Sequence, residues 1–92
     1  MATNVRTDNQ YAYIATATTT QVKTGAGYLK SITVGETAAG SIKIIDGISG
    51  TTTNLGELKA SIVEGTYEFN VKFSAGLRIV TAAASKITVS FE

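Results

Sequence analysis

The sequence predicts an all-β fold, a jelly-roll-like β-sandwich of about eight short antiparallel strands. Two observations lead to this prediction. The first is the alternation of apolar and polar residues, clearest where Tyr67, Phe69, Val71 and Phe73 alternate with Glu, Asn and Lys. A period of two places all of these apolar side chains on one face of a strand. The second is the regular return of short alternating segments between glycine-containing turns, which is typical of a sandwich, a jelly roll or a small barrel.

The N-terminal part of the chain is predicted to contain a polar arm followed by two strands. Residues 1–10 are polar and lack periodicity, so we expect a flexible arm, and residues 11–92 form the single predicted domain. The segment YAYIATATTTQVKT follows, and its Thr, Tyr and Ala content favours two strands joined near residues 18–20. Tyr11 and Tyr13 are expected to share one face of the first strand, and Ile14 lies on the other face.

A turn at residues 25–27, GAG, leads into the predicted strand YLKSITVGE. Strict alternation places Ile32 and Val34 on one face together with Tyr28. Leu29 then falls on the opposite face. This assignment predicts that Leu29 points outward.

The next strand, SIKIIDG, ends in the strongest turn dipeptide of the chain. Ile42 and Ile44 are expected to face inward and Ile45 outward, because their positions alternate. Asp46 and Gly47 both tolerate the backbone angles of a tight reversal. We therefore expect a turn directly after this strand.

The segment that follows, ISGTTTNLGELKASIVEG, permits two interpretations. A strand over residues 52–60 is the preferred one. The alternative is one or two helical turns within residues 52–63, because Asn54 and Glu57 have the spacing of a capping box. Gly56 and the preceding threonines weigh against the helix.

The C-terminal part is predicted to contain a hairpin and a closing strand. The hairpin spans residues 65–80, with its turn at SAG, where Gly76 would supply an unusual backbone angle. Leu77 and Ile79 share the inner face of its second strand, so Val80 points outward. The closing strand, KITVSFE, again alternates apolar and polar residues.

Composition excludes several kinds of chemistry. The 92 residues include no Cys and no His, so there is no disulfide and no ordinary zinc ligand set, and the commonest general base and thiol nucleophile are missing. The formal net charge is +1 and the charges are scattered, which gives no electrostatic footprint for nucleic acid or for an acidic membrane. We expect a protein that is not an enzyme and that needs no cofactor.

Two polar clusters have the composition of possible sites, but a structural role is favoured for each. Asp46, Ser49 and Asn54 could place oxygens around calcium, but they lack the acid density of a calcium loop, so a plain turn is favoured. The acids Glu57, Glu64 and Glu68 are interpreted as solvated side chains rather than a catalytic pair.

The tyrosines outside the predicted core are the candidates for a sugar-binding platform. Because the phenylalanines and Tyr67 are expected to face inward, only Tyr11, Tyr13 and Tyr28 remain for stacking. The favoured interpretation is that these three rings are partly buried at the rim of the core.

A possible interface emerges from the face assignments. Ile14, Leu29, Ile45 and Val80 would project from otherwise polar strand faces, and several apolar side chains gathered in one patch mark an interface. A lone domain of this size has a thin stability margin and no covalent staple. We therefore expect a homo-oligomer that uses these four residues.

The run from YLKSITVG through GSIKIIDGISGT and GTYEFNVKFSAGLRIV to ITVSFE resembles a group of small β proteins of the virions of tailed bacteriophages. The likeness covers residues 11–92. It implies a head decoration or cement protein, with a small tail-associated protein as the variant. It further implies a trimer, the phage major capsid protein as partner, and residence in the virion after synthesis in the host cytoplasm. The alternative is a carbohydrate- or receptor-binding β module of a phage tail.

Overall fold

Eight β-strands form the described part of the protein. The computed structural model describes residues 10–48 and 53–92, and these residues contain no helix. The strands, in chain order, are β1 (Gln10–Ile14), β2 (Thr19–Thr24), β3 (Gly27–Glu36), β4 (Ile42–Asp46), β5 (Thr53–Leu58), β6 (Gly65–Phe73), β7 (Gly76–Thr81) and β8 (Lys86–Phe91). The all-β prediction is confirmed.

The strands form two antiparallel four-stranded sheets that pack together. Sheet A has the order β1-β8-β3-β6, and sheet B has the order β2-β7-β4-β5. The pairs β1·β8, β2·β7, β3·β6 and β4·β5 are those of one long hairpin, and rolling that hairpin adds the pairs β3·β8 and β4·β7. This arrangement is a jelly roll, as the sequence predicted.

The predicted C-terminal hairpin is wrong, because β6 belongs to sheet A and β7 to sheet B. Residues 74–75 form an arch between the sheets. Among the described strands, consecutive ones pair only at β4–β5. Alternation and a glycine mark a reversal, but they do not show which sheet receives the next strand. Gly76 is also not in the left-handed region; a Cβ there would lie 2.8 Å from a backbone carbonyl oxygen, so close approach explains the glycine.

The core lies between the inner faces of the two sheets. Its buried members are mostly β-branched, which suits a pleated surface. Those with 2% exposure or less are Leu29, Ile32, Val34, Ile42, Ile44, Phe73, Leu77, Ile79, Ile87 and Val89. The sequence predicted that the alternating apolar residues of β7 and β8 face inward, and this prediction is confirmed.

The faces of β1 are inverted relative to the prediction. Ile14 is 4% exposed and lies in the core, whereas Tyr11 and Tyr13 are 76% and 61% exposed. Ala12 and Ile14 are cross-strand partners of Val89 and Ile87 on β8. The neighbours on β8 therefore determine which face of β1 is buried, and the two large tyrosine rings in β1 do not.

Leu29 is also buried, contrary to prediction, and the cause is a β-bulge. Leu29 pairs with Phe91 and Ser31 with Ser90, so β3 holds an extra residue, Lys30, opposite β8. The bulge shifts the alternation by one position, which brings Leu29 and Ile32 to the same face.

The last two residues of the predicted patch lie on the outer face of sheet B. Val80 points outward as expected and is partly buried. Ile45 is 7% exposed and lies outside the main core cluster, with Arg78 as its cross-strand partner. Because Ile14, Leu29 and Ile45 are buried within one chain, they do not form an exposed patch with Val80.

The remaining boundaries agree with the sequence in part. The segment from Thr53 to Leu58 is a strand and not a helix. The arm was predicted over residues 1–10, but Gln10 already begins β1; residues 1–9 and residue 52 lie outside the described residues.

Candidate binding surfaces

The outer face of sheet A carries hydroxyl groups on three strands and two tyrosines at its edge; we call it the hydroxyl face. The strand registers arrange its side chains in two rows. The first row is Tyr11, Ser90, Ser31 and Glu68. The second row is Tyr13, Thr88, Thr33 and Thr66. Of these eight side chains, only Glu68 is charged.

Short side chains line the centre of the hydroxyl face, on β8 and β3. Four strands spaced by about 4.8 Å give it a width of about 14 Å between the outermost strands. The hydroxyl groups of Thr33 and Thr66 lie 3.0 Å apart and form a hydrogen bond across β3 and β6. This face can therefore offer both donors and acceptors to a partner.

Ion pairs lie near the two ends of this sheet. The Lys86 Nζ and the Glu36 Oε1 are 3.0 Å apart, and the hydrogen bond to Glu36, reinforced by its charge, raises the pKa of Lys86. At the other end, the Lys30 Nζ lies 3.6 Å from the Glu92 Oε2. Both pairs are partly exposed, so their main effect is to neutralise charge beside the hydroxyl face.

The structure brings together two of the three tyrosines considered for sugar binding. Tyr11 and Tyr13 are two positions apart on one face of β1, about 7 Å along the strand. Tyr28 lies on β3, two strands away, and is half-buried. The prediction of partly buried rings is confirmed for Tyr28 and is wrong for Tyr11 and Tyr13.

The outer face of sheet B has a different chemical character. Its rows include Thr19, Val80, Lys43 and Glu57, with Arg78 in the neighbouring row. The Arg78 Nη1 donates a hydrogen bond to the Ile48 carbonyl, with 3.0 Å between the atoms. This face is mixed in charge, so the two outer faces of the sandwich would favour different partners.

Asp46 is the last residue of β4, and most of the connection after it, where the turn was predicted, lies outside the described residues. Its carboxylate contacts a different connection. Its Oδ2 accepts a hydrogen bond from the Ser74 N–H at 2.9 Å, and its Oδ1 accepts from Ala75 at 2.9 Å and from Gly76 at 3.4 Å. The N–H of Ala75, followed by that of Ser74, lowers the pKa of Asp46. The carboxylate that was considered for calcium thus holds the arch between β6 and β7.

The other members of the two polar clusters lie apart from one another or outside the described residues. Asn54 is exposed on β5, and Ser49 is outside the described residues. Glu57 and Glu68 lie on β5 and β6, whereas Glu64 accepts a hydrogen bond from the Thr37 N–H at 3.2 Å. Within residues 10–48 and 53–92, no cluster of three or more metal-ligating side chains was found.

Sequence reasoning missed the hydroxyl face. The signal was present, because Ser31 and Thr33 on β3 alternate like Thr88 and Ser90 on β8. Recognising it required the correct face of β1 and the knowledge that β8 lies between β1 and β3.

The fold and these surfaces define a small jelly-roll sandwich in which one outer face is rich in hydroxyl groups, carries few charges and has two tyrosines at its edge. Comparisons of the chain with protein-family models and with curated protein sequences found no match. A search of the described residues for a membrane-spanning helix was also negative.

Proposed function

We propose that this chain is a non-enzymatic structural protein of a tailed-phage virion, a head decoration or cement protein that binds the capsid surface as an oligomer. The observation that supports this proposal is the hydroxyl face. An open sheet face with few charges and many hydroxyl groups fits another protein surface better than it fits a small ligand, which needs a concave site.

The mechanism would be stabilisation by binding. A protein that contacts neighbouring capsid subunits only in the mature shell stabilises that shell by mass action. Thr33 lies near the centre of the hydroxyl face, so its surroundings would be buried in such a complex. The resemblance to phage proteins implies the major capsid protein as the partner and a trimer as the oligomer.

Binding to capsid shells that lack the protein tests this proposal. Shells are mixed with the purified protein and sedimented, and the bound copies per shell are counted. Thr33→Lys should weaken binding at least tenfold, because it places a long charged side chain in the centre of a face that would be buried in the complex. Thr19→Lys, on the outer face of sheet B, is the matched control and should bind like the unmodified protein.

Two outcomes contradict the proposal. One is the absence of saturable binding to the shells. The other is a loss of binding by Thr19→Lys while Thr33→Lys binds normally, which would assign the contact to the opposite face.

The exposure of Tyr11 and Tyr13 favours a second candidate, a carbohydrate- or receptor-binding module of a phage tail. Exposed rings beside hydroxyl groups can stack on a sugar and hydrogen-bond to it. In a glycan-binding assay, Tyr11→Ala and Tyr13→Ala should each abolish a signal, whereas Tyr28→Ala should retain it because that ring lies two strands away. Glycan signals that do not respond to these changes would remove this candidate.

A further inference from the structure

Each sheet of the sandwich has two edge strands, and an edge strand presents backbone N–H and C=O groups that can pair with another chain. Sheet A is bounded by β1 and β6, and sheet B by β2 and β5. Natural proteins protect such edges with bulges, charged side chains or proline. The protection of each edge therefore indicates where pairing with another chain is avoided.

In the described part of the chain, β2, β5 and β6 each carry a bulge. On β2 the extra residue is Val22, next to Lys23. On β5 it is Leu55, two residues before Glu57. On β6 the ladder is interrupted at Asn70, whose φ is 51°, and charged residues lie two positions away on either side. These three edges are kinked and charged.

The β1 edge has neither form of protection. It pairs with β8 in an unbroken register from Gln10, opposite Phe91, to Ile14, opposite Ile87. Its sequence, QYAYI, contains no charge, no proline and no glycine. Two exposed tyrosines lie on it, and aromatic residues favour cross-strand pairing.

We propose that β1 pairs antiparallel with β1 of a second copy across a two-fold axis at Ala12. The two copies of sheet A would then join into one eight-stranded sheet. This proposal does not depend on the proposed function. Because the contact is the same on both copies, it builds a dimer rather than the trimer that the family resemblance implies.

The sequence of β1 is self-complementary about this axis. Tyr11 would lie opposite Tyr13 of the second copy, and this aromatic pair occurs twice. Ala12 would meet Ala12, and Gln10 would lie opposite Ile14. A two-fold axis places each charged residue of a strand opposite a fixed position in the same strand of the second copy. Because β1 carries no charge, this pairing meets no like-charge repulsion. These relations favour a second copy over an unrelated chain.

The register can be tested by cross-linking, since the chain contains no cysteine. Directly opposed Cα atoms in an antiparallel pair are about 4.5–5.5 Å apart, within the range that a disulfide spans. Ala12→Cys should therefore form a covalent dimer under mild oxidation. Tyr11→Cys is the matched control; in this register its two Cα atoms are about 8 Å apart, too far for a disulfide. Equal cross-linking of both variants would overturn the register.

The mass in solution provides a second test that does not depend on the cysteine variants. Sedimentation velocity of the unmodified protein at about 100 µM should give twice the chain mass of 9.6 kDa, since a short interface is expected to have a micromolar dissociation constant. Tyr11→Lys combined with Tyr13→Lys should give the mass of one chain, because cations would face each other twice. Tyr11→Lys combined with Tyr13→Glu should restore the dimer, because opposite charges would face each other.

Thr53→Lys combined with Thr66→Lys is the charge control. It adds the same charge as Tyr11→Lys combined with Tyr13→Lys, but on the edges β5 and β6, and it should keep the dimer. Circular dichroism must show that every variant is folded. An unmodified protein with the mass of one chain or of three chains overturns the proposal. So does a dimer that survives the repulsive substitutions, and so does glycan binding through Tyr11 and Tyr13 by a monomer.

Discussion

The carboxylate of Asp46 should contribute to stability by holding the arch between the two sheets. Replacing it in Asp46→Ala removes the acceptor for the Ser74 and Ala75 N–H groups, each 2.9 Å from an oxygen of the carboxylate. Asp46→Asn keeps one acceptor oxygen and loses the charge. The two variants therefore separate the hydrogen bonds from their charge.

The magnitude follows from these contacts. A hydrogen bond to a charged group contributes about 1.5–3 kcal/mol when it is shielded, and exposure to solvent reduces this value. The contacts of Asp46 are exposed, and water can replace the lost acceptor. We expect Asp46→Ala to lower the free energy of unfolding by about 2 kcal/mol, which corresponds to about 10 °C in Tm for a domain of this size. Asp46→Asn should lose about half as much.

The same contacts predict a dependence on pH. The N–H groups of Ala75 and Ser74 lower the pKa of Asp46 below 3.8. The folded protein therefore binds this proton less tightly than the unfolded chain does. The contribution of Asp46 is complete above the unfolded pKa, and it is lost as the pH falls through the lower pKa of the folded state.

Urea denaturation of both proteins from pH 7 down to pH 2 provides the measurement. The difference in unfolding free energy between the unmodified protein and Asp46→Asn should be constant above pH 5 and should shrink below pH 3.8. Other carboxylates titrate in both proteins and cancel in this difference. A difference that stays constant down to pH 2, or an Asp46→Ala variant as stable as the unmodified protein at pH 7, would refute the reasoning.

Two further predictions concern packing. Gly76→Ala should lower the free energy of unfolding by about 1–3 kcal/mol, because its Cβ would lie 2.8 Å from a backbone carbonyl oxygen, whereas Gly35→Ala, with its nearest atom at 3.6 Å, should stay within about 0.5 kcal/mol of the unmodified protein. Ile45→Lys should destabilise the fold far more than Val80→Lys when both are measured by thermal denaturation. The two positions are matched, because each lies on the outer face of sheet B opposite a cation. They differ in burial, since Ile45 is buried and Val80 is only partly buried. Equal stabilities within either pair would contradict these packing arguments.

The sequence predicted the number and approximate positions of the strands because alternation is a local property. It also predicted the buried face of β8, where Ile87, Val89 and Phe91 alternate without interruption. The faces of β1 and β3 could not be predicted in the same way. In β1 the choice between Tyr13 and Ile14 depends on β8, a strand more than 70 positions away. In β3 a bulge at Lys30 interrupts the period, and QYAYI and YLKSITVGE alone do not signal either effect.

The candidate site was harder to predict for a related reason. The hydroxyl face becomes visible only when β8 is placed between β1 and β3, which unites Thr88 and Thr33 with Tyr13. No short motif encodes such a surface. The role of Asp46 was equally non-local, since its carboxylate contacts an arch about 30 positions further along the chain. The sequence indicated a turn at Asp46 and Gly47, but it did not indicate which residues the Asp46 side chain contacts.

The strand order also constrains when the protein can fold. Sheet B is complete once β7 has been synthesised, and its β4–β5 hairpin is the one pairing of consecutive strands among those described. Sheet A has β8 as an inner strand, so β1 gains its partner among the described strands when residues 86–91 leave the ribosome. Distant pairing of this kind is slow, on a scale of milliseconds to seconds. Until then the uncharged β1 has no partner among the described strands, and its backbone N–H and C=O groups are open to pairing with another chain.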